Sequence, residues 1–259
     1  MSYEGLTLEK NAGIAILTLN RPEQLNAVSL PMAQSIEKAV AEVDRDDSLK
    51  VLIITGAGRA FCAGLDITTF KEVDKMSLEE LGDLIRTLSL PLHKLSKPTI
   101  AAINGTAAGA GLSIVMQCDI RIASEKATFS PAYIRVGLVP DAGATYFLPR
   151  IAGTAKAIEL MVTGDSFDAA EAQKMGLLNK VVPEKEVMKV ARGLANRIAS
   201  GPSIAIELIK QAAYQGIHNT LEQQIEFECL AEYICLKTKD HKEGARAFLE
   251  KRPPQFKGK

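Results

Sequence analysis

Two short segments rich in glycine and alanine each follow an apolar run, and they are the first candidates for chemistry in this chain. One is RAFCAGLD at 59–66, and the other is INGTAAGAGL at 103–112. Small residues let main-chain N–H groups approach a ligand closely, and at the start of a helix such groups point outward without a partner. Two amides from separate segments can therefore hold one oxygen atom that gains negative charge during a reaction. Close packing of a helix on a strand explains either segment alone equally well.

A carboxyl group in an apolar stretch is the second candidate. The residues that flank Asp141 are largely apolar: Val136, Leu138, Val139, Ala142 and Phe147. Such surroundings raise the pKa of a carboxyl group toward the range in which it exchanges protons. An aspartate after proline and before Ala-Gly-Ala-Thr also suits the N-cap of a helix, so Asp141 is either an acid/base group or a cap.

The motifs of several common α/β enzymes are absent. The chain has no GxxxxGK[ST] phosphate loop and no GxSxG nucleophile motif. The segment 109–114 begins like a dinucleotide fingerprint but lacks its third glycine. The 4 cysteines form no CxxC pair and the 3 histidines form no cluster, so we expect no metal site.

Apolar runs that alternate with amphipathic stretches predict an α/β fold with largely buried sheets. The predicted strands are 13–19, 51–55, 98–103 and 119–123, and the predicted helices begin at Ser29 and near residue 109. Beyond residue 148 the pattern becomes helical. We therefore expect a core over 1–197 and a helical C-terminal region over 198–259.

Composition and charge exclude further classes of protein. The 259 residues are 47% hydrophobic, and 31 Lys and Arg balance 31 Asp and Glu, so we expect no nucleic-acid partner. The apolar run at 99–116 contains Asn104, Ser113 and glycines, which argues against a membrane span. The N-terminal residues lack the apolar segment of a secretion signal, and the sparse cysteines suit reduced thiols. We expect a cytoplasmic protein.

The chain resembles the crotonase (enoyl-CoA hydratase/isomerase) superfamily over essentially its full length. The matching segments are 20–27, 60–66, 97–105, 108–111, 118–119, 163–164 and 169–177. The resemblance implies a spiral of ββα units with a helical C-terminal trimerisation region, as a homotrimer or a dimer of trimers. It also implies acyl-CoA thioester substrates, with coenzyme A as part of the substrate and no separate cofactor.

The same resemblance implies the roles of individual residues. The amides of Leu65 and Ala110, with Gly109 beside them, would form an oxyanion hole for the thioester carbonyl; the family commonly has glycine where this chain has Ala110. The path of the adenine and pantetheine would be lined by the main chain at Asn26, Ala27, Ala63, Asp66 and Ile67. Lys251 looks like the residue that a neighbouring subunit offers to the CoA phosphates, although an ordinary solvated lysine explains it as well.

Members of this superfamily differ in their acid/base residues. The two glutamates of hydratases fall on Ser113 and Tyr133, neither of which is a carboxylate, and hydration needs both activated water and a proton for carbon. Residues 140–150 resemble the epoxyphenylacetyl-CoA isomerase-like branch, which implies Asp141 as acid/base. A single base suffices for an allylic shift, because it can return the proton to another carbon.

We therefore predict an enoyl-CoA isomerase that moves a double bond or opens an epoxide. The alternatives are a hydratase-like lyase, a C–C bond hydrolase of the same superfamily, and a protein that binds acyl-CoA without chemistry. Tyr133 is expected to line the acyl pocket or to hydrogen-bond to Asp141, and Ser113 is expected only to make room.

Overall fold

The computed structural model describes residues 3–259, in which strands and helices alternate up to the last, helical part. The strands are β1 (Leu6–Asn11), β2 (Ile14–Leu19), β3 (Val51–Gly56), β4 (Ala60–Cys62), β5 (Thr99–Ile103), β6 (Thr106–Ala108), β7 (Ile120–Ser124), β8 (Thr128–Ser130), β9 (Phe167–Asp168) and β10 (Lys180–Val182). The helices are α1 (Leu30–Arg45), α2 (Phe70–Val73), α3 (Leu78–Lys94), α4 (Ala110–Gln117), α5 (Ala144–Ala152), α6 (Thr154–Thr163), α7 (Ala169–Lys174), α8 (Val187–Ala199), α9 (Ser203–Gln215), α10 (Leu221–Lys237) and α11 (Lys239–Leu249).

Two sheets organise the core. The larger sheet has the strand order β1-β2-β3-β5-β7-β10, and the smaller sheet has the order β4-β6-β8-β9. Strands β2, β3, β5, β7 and β10 are parallel to one another, while β1 is antiparallel to β2. The strand pairs β3–β4, β5–β6 and β7–β8 therefore each add one strand to the large sheet and one to the small sheet before the next helices. This repeat confirms the expected α/β spiral of ββα units.

Local sequence signals account for several element boundaries. Ser29 is the N-cap of α1, and its side chain accepts a hydrogen bond from the Met32 amide, as the preference for serine at helix starts predicts. In β3, Val51 and Ile53 face one apolar cluster, whereas Leu52 and Ile54 face the other. A strand covered on both faces reads as a continuous apolar run, which explains why β3 and β5 were recognisable.

The C-terminal helices begin beyond the predicted division of the chain. Helix α8 continues to Ala199 and α9 begins at Ser203, so residue 197 lies in the last turn of α8. Helix α9 is joined to the core through the carboxylate of Asp119, which accepts from Lys210 Nζ at 2.8 Å and from the Tyr214 hydroxyl at 2.8 Å. The same carboxylate accepts from the amide and hydroxyl of Thr99. One half-buried acid thus connects β5, β7 and α9.

The outer surface of the C-terminal helices is apolar. None of the α10 residues is buried, although an isolated surface helix normally exposes polar side chains. Large apolar residues exposed on or beside α9, α10 and α11 are Ile209, Ile217, Leu221, Ile225, Leu230, Tyr233, Ile234, Leu236, Phe248 and Leu249. Extended apolar surface of this kind is typical of an interface with another protein. Within residues 3–259, no helix combines the length and apolar character needed to cross a bilayer.

Lys97 caps the end of α1 from inside the protein. Its side chain is buried, and its Nζ atom donates to the carbonyl oxygens of Val43, Asp44 and Asp46 at 2.6, 3.1 and 2.7 Å. The last carbonyls of a helix have no partner within the helix, and a positive charge there interacts favourably with the helix dipole. Lys97 therefore satisfies three acceptors at the end of α1 that the helix itself cannot pair.

Replacing Lys97 with methionine is expected to lower the free energy of unfolding by about 1–3 kcal/mol, because these carbonyls lose their donor. Urea unfolding followed by circular dichroism measures the change. Lys94→Met is the matched control, since Lys94 is an exposed residue at the end of α3. Equal stability of the two variants would contradict the capping role.

Candidate active site

The main chain at Leu65 is arranged so that its amide faces away from the neighbouring segment. The Val28 amide donates to the Gly64 oxygen at 2.7 Å, and the Asp66 amide donates to the Val28 oxygen at 2.9 Å. In a parallel pairing of this kind, the residue between the two bonds directs its own N–H to the opposite side. Gly64 precedes it with φ +110°, a conformation that favours glycine. The Leu65 amide is therefore available to a ligand.

The second glycine turn starts helix α4 directly beside Gly64. Gly109 has φ +50°, and its amide donates to the Ser130 oxygen at 2.9 Å. Ala110 follows as the first residue of α4, where an amide has no partner within the helix. A Cβ atom built on Gly64 would lie 3.6 Å from the Ala110 nitrogen, and one built on Gly109 would lie 3.8 Å from the Gly64 Cα. The fold thus brings together the two segments that the sequence singled out.

Close packing explains another glycine of the same segment. A Cβ atom on Gly111 would lie 2.2 Å from the Cys62 carbonyl oxygen, in strand β4. Any side chain at residue 111 would push α4 away from β4. The two explanations of the glycine-rich segments therefore apply to different residues: Gly111 allows helix–strand packing, while Gly64 and Gly109 shape the space beside the free amides.

Asp141 is not a helix cap. Helix α5 begins at Ala144, its N-cap is Gly143, and no side chain caps it. The Asp141 main-chain oxygen accepts from the Ala144 amide at 2.9 Å. Between them, Ala142 and Gly143 have φ values of +48° and +85°. The side chain of Asp141 is thus released from capping.

The carboxyl group of Asp141 is partly shielded from water. Burial raises its pKa above the ordinary value of aspartate, and the nearby Tyr133 hydroxyl offsets part of that rise. Burial together with the charge of Asp141 raises the pKa of Tyr133 well above its usual range, so this phenol stays protonated. A carboxyl group with a raised pKa beside a permanent donor is suited to proton transfer.

The two residues that the resemblance matches to the hydratase glutamates hydrogen-bond to each other. The hydroxyls of Ser113 and Tyr133 are buried and 2.9 Å apart. Ser113 Oγ donates to the Asp141 main-chain oxygen at 3.1 Å, and the Tyr133 hydroxyl lies 3.5 Å from the same atom. The expectation that Ser113 only makes room is therefore wrong: its hydroxyl contacts both Tyr133 and the Asp141 turn. The sequence signal for this contact was that both matched positions, Ser113 and Tyr133, carry a hydroxyl where a glutamate was expected.

Asn26 and Asp66 are structural supports for the loops at the site. The buried Asn26 side chain donates from Nδ2 to the oxygens of Ala57 and Ala60, both at 2.8 Å, and accepts from the Arg21 amide at 2.9 Å. Asp66 forms an ion pair with Arg21 at 2.8 Å. Since these side chains bond within the protein, a ligand here would meet main-chain groups, as the resemblance implies.

The remaining residues of the expected CoA path lie at the surface. Ala63 is exposed, Ile67 is 74% exposed and Ala27 is half-buried. Lys251 is exposed in the turn after α11, with φ +53° and its amide donating to the Phe248 oxygen at 3.2 Å. Ala63 and Ile67 each lie two residues from Leu65 in the sequence. Lys251, at the far end of the chain, stays a sequence-based expectation.

Gln117 is a residue that the sequence did not single out. Its side chain is buried, and Nε2 donates to the Ala142 main-chain oxygen at 3.0 Å. Its position four residues after Ser113 places both side chains on one face of α4. Within residues 3–259, no group of three His, Cys, Asp or Glu side chains is placed to hold a metal ion.

Comparison with known proteins gives consistent matches along the whole chain. The family model described as enoyl-CoA hydratase/isomerase matches residues 9–259. The chain is 40% identical to the 1,2-epoxyphenylacetyl-CoA isomerase of Escherichia coli K12, over 95% of this chain and 96% of that protein. It is 38% identical to the crotonyl-CoA hydratase of Syntrophomonas wolfei, over 99% of both. The crystal structure of enoyl-CoA hydratase from Bacillus anthracis superposes with a TM-score of 0.91 at 34% identity, over 99% of this chain and 100% of that one.

Proposed function

The chain belongs to the enoyl-CoA hydratase/isomerase family, and from this premise we propose that it is an enoyl-CoA isomerase with Asp141 as its acid/base. The observation that carries the proposal is the buried Ser113–Tyr133 hydroxyl pair, which occupies both positions where hydratases have a glutamate. Without carboxylates there, Asp141 is the acid beside the pair and its pKa is raised by burial. One acid/base group is enough for a proton shift and falls short of what hydration needs.

The mechanism uses the two free amides and one carboxylate. The thioester carbonyl of the acyl-CoA accepts hydrogen bonds from the amides of Leu65 and Ala110. Asp141 removes a proton from C2 of a 3-enoyl thioester, and the electron pair delocalises into a dienolate whose oxygen the amides stabilise. Protonated Asp141 then returns the proton to C4, which leaves the double bond between C2 and C3. With an epoxide substrate, the same acid assists ring opening.

Several surface features support the rest of the proposal. The main chain at Asn26, Ala27, Ala63, Asp66 and Ile67 is the proposed path of coenzyme A. The apolar outer surface of α10 supports assembly into a homotrimer or a dimer of trimers, in which Lys251 would reach the phosphates of a CoA on a neighbouring subunit. A cytoplasmic location remains a prediction from the cysteine usage.

A direct assay separates isomerase from hydratase. We expect the protein to convert trans-3-hexenoyl-CoA to the conjugated 2-enoyl thioester, with rising enoyl absorbance, and to leave crotonyl-CoA largely unhydrated. The crotonyl-CoA hydratase relative makes hydration the second candidate. Rapid loss of crotonyl-CoA absorbance that Asp141→Asn leaves unchanged would overturn the proposal. If the protein binds 3-hexenoyl-CoA in D2O but no deuterium enters C2, it binds acyl-CoA without catalysing proton exchange.

The pH dependence of kcat/KM tests the contact between Tyr133 and Asp141. As a general base, Asp141 must be ionised, so activity falls as the pH drops through its raised pKa. The nearby Tyr133 hydroxyl lowers that pKa, so Tyr133→Phe is expected to raise it. The acidic limb of the profile should then move to higher pH. Tyr3→Phe is the control, since the Tyr3 hydroxyl contacts Glu42 on α1; an unmoved limb in Tyr133→Phe would contradict the contact.

A further inference from the structure

Two side chains on one face of α4 end on the turn that contains Asp141. Ser113 Oγ donates to the Asp141 main-chain oxygen at 3.1 Å, and Gln117 Nε2 donates to the Ala142 main-chain oxygen at 3.0 Å. Both side chains are fully buried. Residues four apart lie on the same side of a helix, so two consecutive carbonyls of the turn are bound to a single helix.

The conformation of this turn needs such support. Ala142 has φ +48°, a main-chain conformation that residues other than glycine rarely adopt, and Gly143 follows with φ +85°. Backbone conformations of this kind persist where the surrounding structure determines them. The direction in which the Asp141 side chain points is therefore set by the contacts that hold the carbonyls of Asp141 and Ala142.

The stability of the folded protein does not by itself explain a glutamine at position 117. Its Oε1 atom is buried and accepts no hydrogen bond from the residues that the structure describes. A buried acceptor without a donor destabilises the folded state. Methionine has a similar shape and carries no such acceptor. The amide at this position is better explained by the bond from Nε2 to Ala142 than by packing.

We propose that Ser113 and Gln117 are positioning residues that fix Asp141 relative to the Ala110 amide. Ala110, Ser113 and Gln117 belong to the same helix, and its regular rise of about 1.5 Å per residue makes it a stiff spacer. The oxyanion-binding amide and the acid/base would then share one rigid element. The inference rests on the proposed function, because the spacing matters only if both groups act on one substrate.

The variants Ser113→Ala and Gln117→Met remove one anchor each. The matched control is Thr55→Val, because the buried Thr55 hydroxyl also donates to a main-chain oxygen, that of Ala102 at 2.8 Å within the large sheet. A misplacement of about 1 Å can lower a rate about 100-fold. With trans-3-hexenoyl-CoA as the probe, we expect kcat to fall about 10- to 100-fold in both variants while KM changes little. Thr55→Val should keep the wild-type kcat, and Gln117→Met should stay close to the wild type in stability, because it removes the unpaired Oε1 acceptor together with the donor to Ala142.

Crystal structures of the two variants decide the positioning role independently of turnover. We expect the Asp141 Cα atom to move relative to the Ala110 nitrogen by more than the roughly 0.5 Å that catalytic geometry tolerates. An unmoved Asp141 in both variants, or wild-type kcat in both, overturns the inference. A wild-type protein that fails to isomerise the probe overturns the proposed function instead, and the displacement of Asp141 still decides the positioning. If Ser113→Ala fails to fold, Gln117→Met carries the test alone.

Discussion

Asp141→Asn is expected to lower kcat for the isomerisation of trans-3-hexenoyl-CoA by about 100- to 10,000-fold, the usual contribution of general acid/base catalysis. The asparagine keeps the size of the side chain but cannot accept or return the proton. Deuterium uptake from D2O into C2 of the probe should fall by a similar factor, since it reports the first proton transfer alone. The KM should change little, because Asp141 is not among the residues proposed to hold coenzyme A.

Loss of activity in this variant can be separated from loss of structure. Burial raises the pKa of Asp141, so the folded protein binds this proton more tightly than the unfolded chain does. The contribution to stability is therefore favourable below the ordinary aspartate pKa and is lost as the pH rises through the folded pKa. At neutral pH, Asp141→Asn should unfold at the same or a higher urea concentration than the wild type.

A neutral surface substitution completes the test. Asp47→Asn changes an exposed aspartate in the turn before β3 and should leave both kcat and deuterium uptake unchanged. If Asp141→Asn turned over the probe as fast as Asp47→Asn does, Asp141 would not be the base, and the proposed mechanism would be wrong.

Gly64→Ala is expected to lower kcat about 100- to 1,000-fold, the loss typical of removing one oxyanion donor. The new Cβ atom would lie 3.0 Å from the Ala108 oxygen and 3.6 Å from the Ala110 nitrogen. It would occupy the space beside the two amides and would strain a backbone with φ +110°. The Leu65 amide would then shift from the position that the thioester oxygen requires. Steady-state kinetics with trans-3-hexenoyl-CoA measure the effect.

The matched control introduces the same strain elsewhere. Gly13, in the turn between β1 and β2, has φ +82°, and a Cβ atom there would meet its nearest atoms at an ordinary 3.6 Å. Gly13→Ala should therefore lose some stability, because alanine is strained in this conformation, and keep its kcat. If Gly64→Ala were as active as Gly13→Ala, the proposed oxyanion hole would be placed wrongly.

The parts of the fold that sequence predicted well are those set by local physics. The strand β3 is a continuous apolar run, and α1 begins after a serine cap, so each can be recognised within a short window. The glycine turns were also recognisable, because few residues other than glycine adopt the conformations of Gly64 and Gly109. Their meeting depends on the order of strands in the small sheet, which no local signal shows, and a shared site for Leu65 and Ala110 was expected only from the family resemblance.

The contacts around Asp141 were beyond such local signals. The bond from Ser113 to the Asp141 oxygen joins residues 28 apart in sequence, and the bond from Gln117 to Ala142 joins residues 25 apart. Both use main-chain oxygens, which every residue has, so residue type carries no trace of the pairing. The choice between cap and acid/base for Asp141 likewise depended on where α5 begins, and helix boundaries are poorly determined by sequence.

The attachment of α9 to the core has a consequence for how the protein comes apart. Asp119 binds Lys210 and Tyr214 from α9 and Thr99 from β5 at the same time. Detaching the helical C-terminal part would leave the Asp119 carboxylate without its donors Lys210 and Tyr214, next to the central β-strands. The sheet would lose stability as a result, so both parts should unfold in a single cooperative step. A chimera that takes its C-terminal helices from a relative should therefore stay stable only if that relative supplies the donors to Asp119.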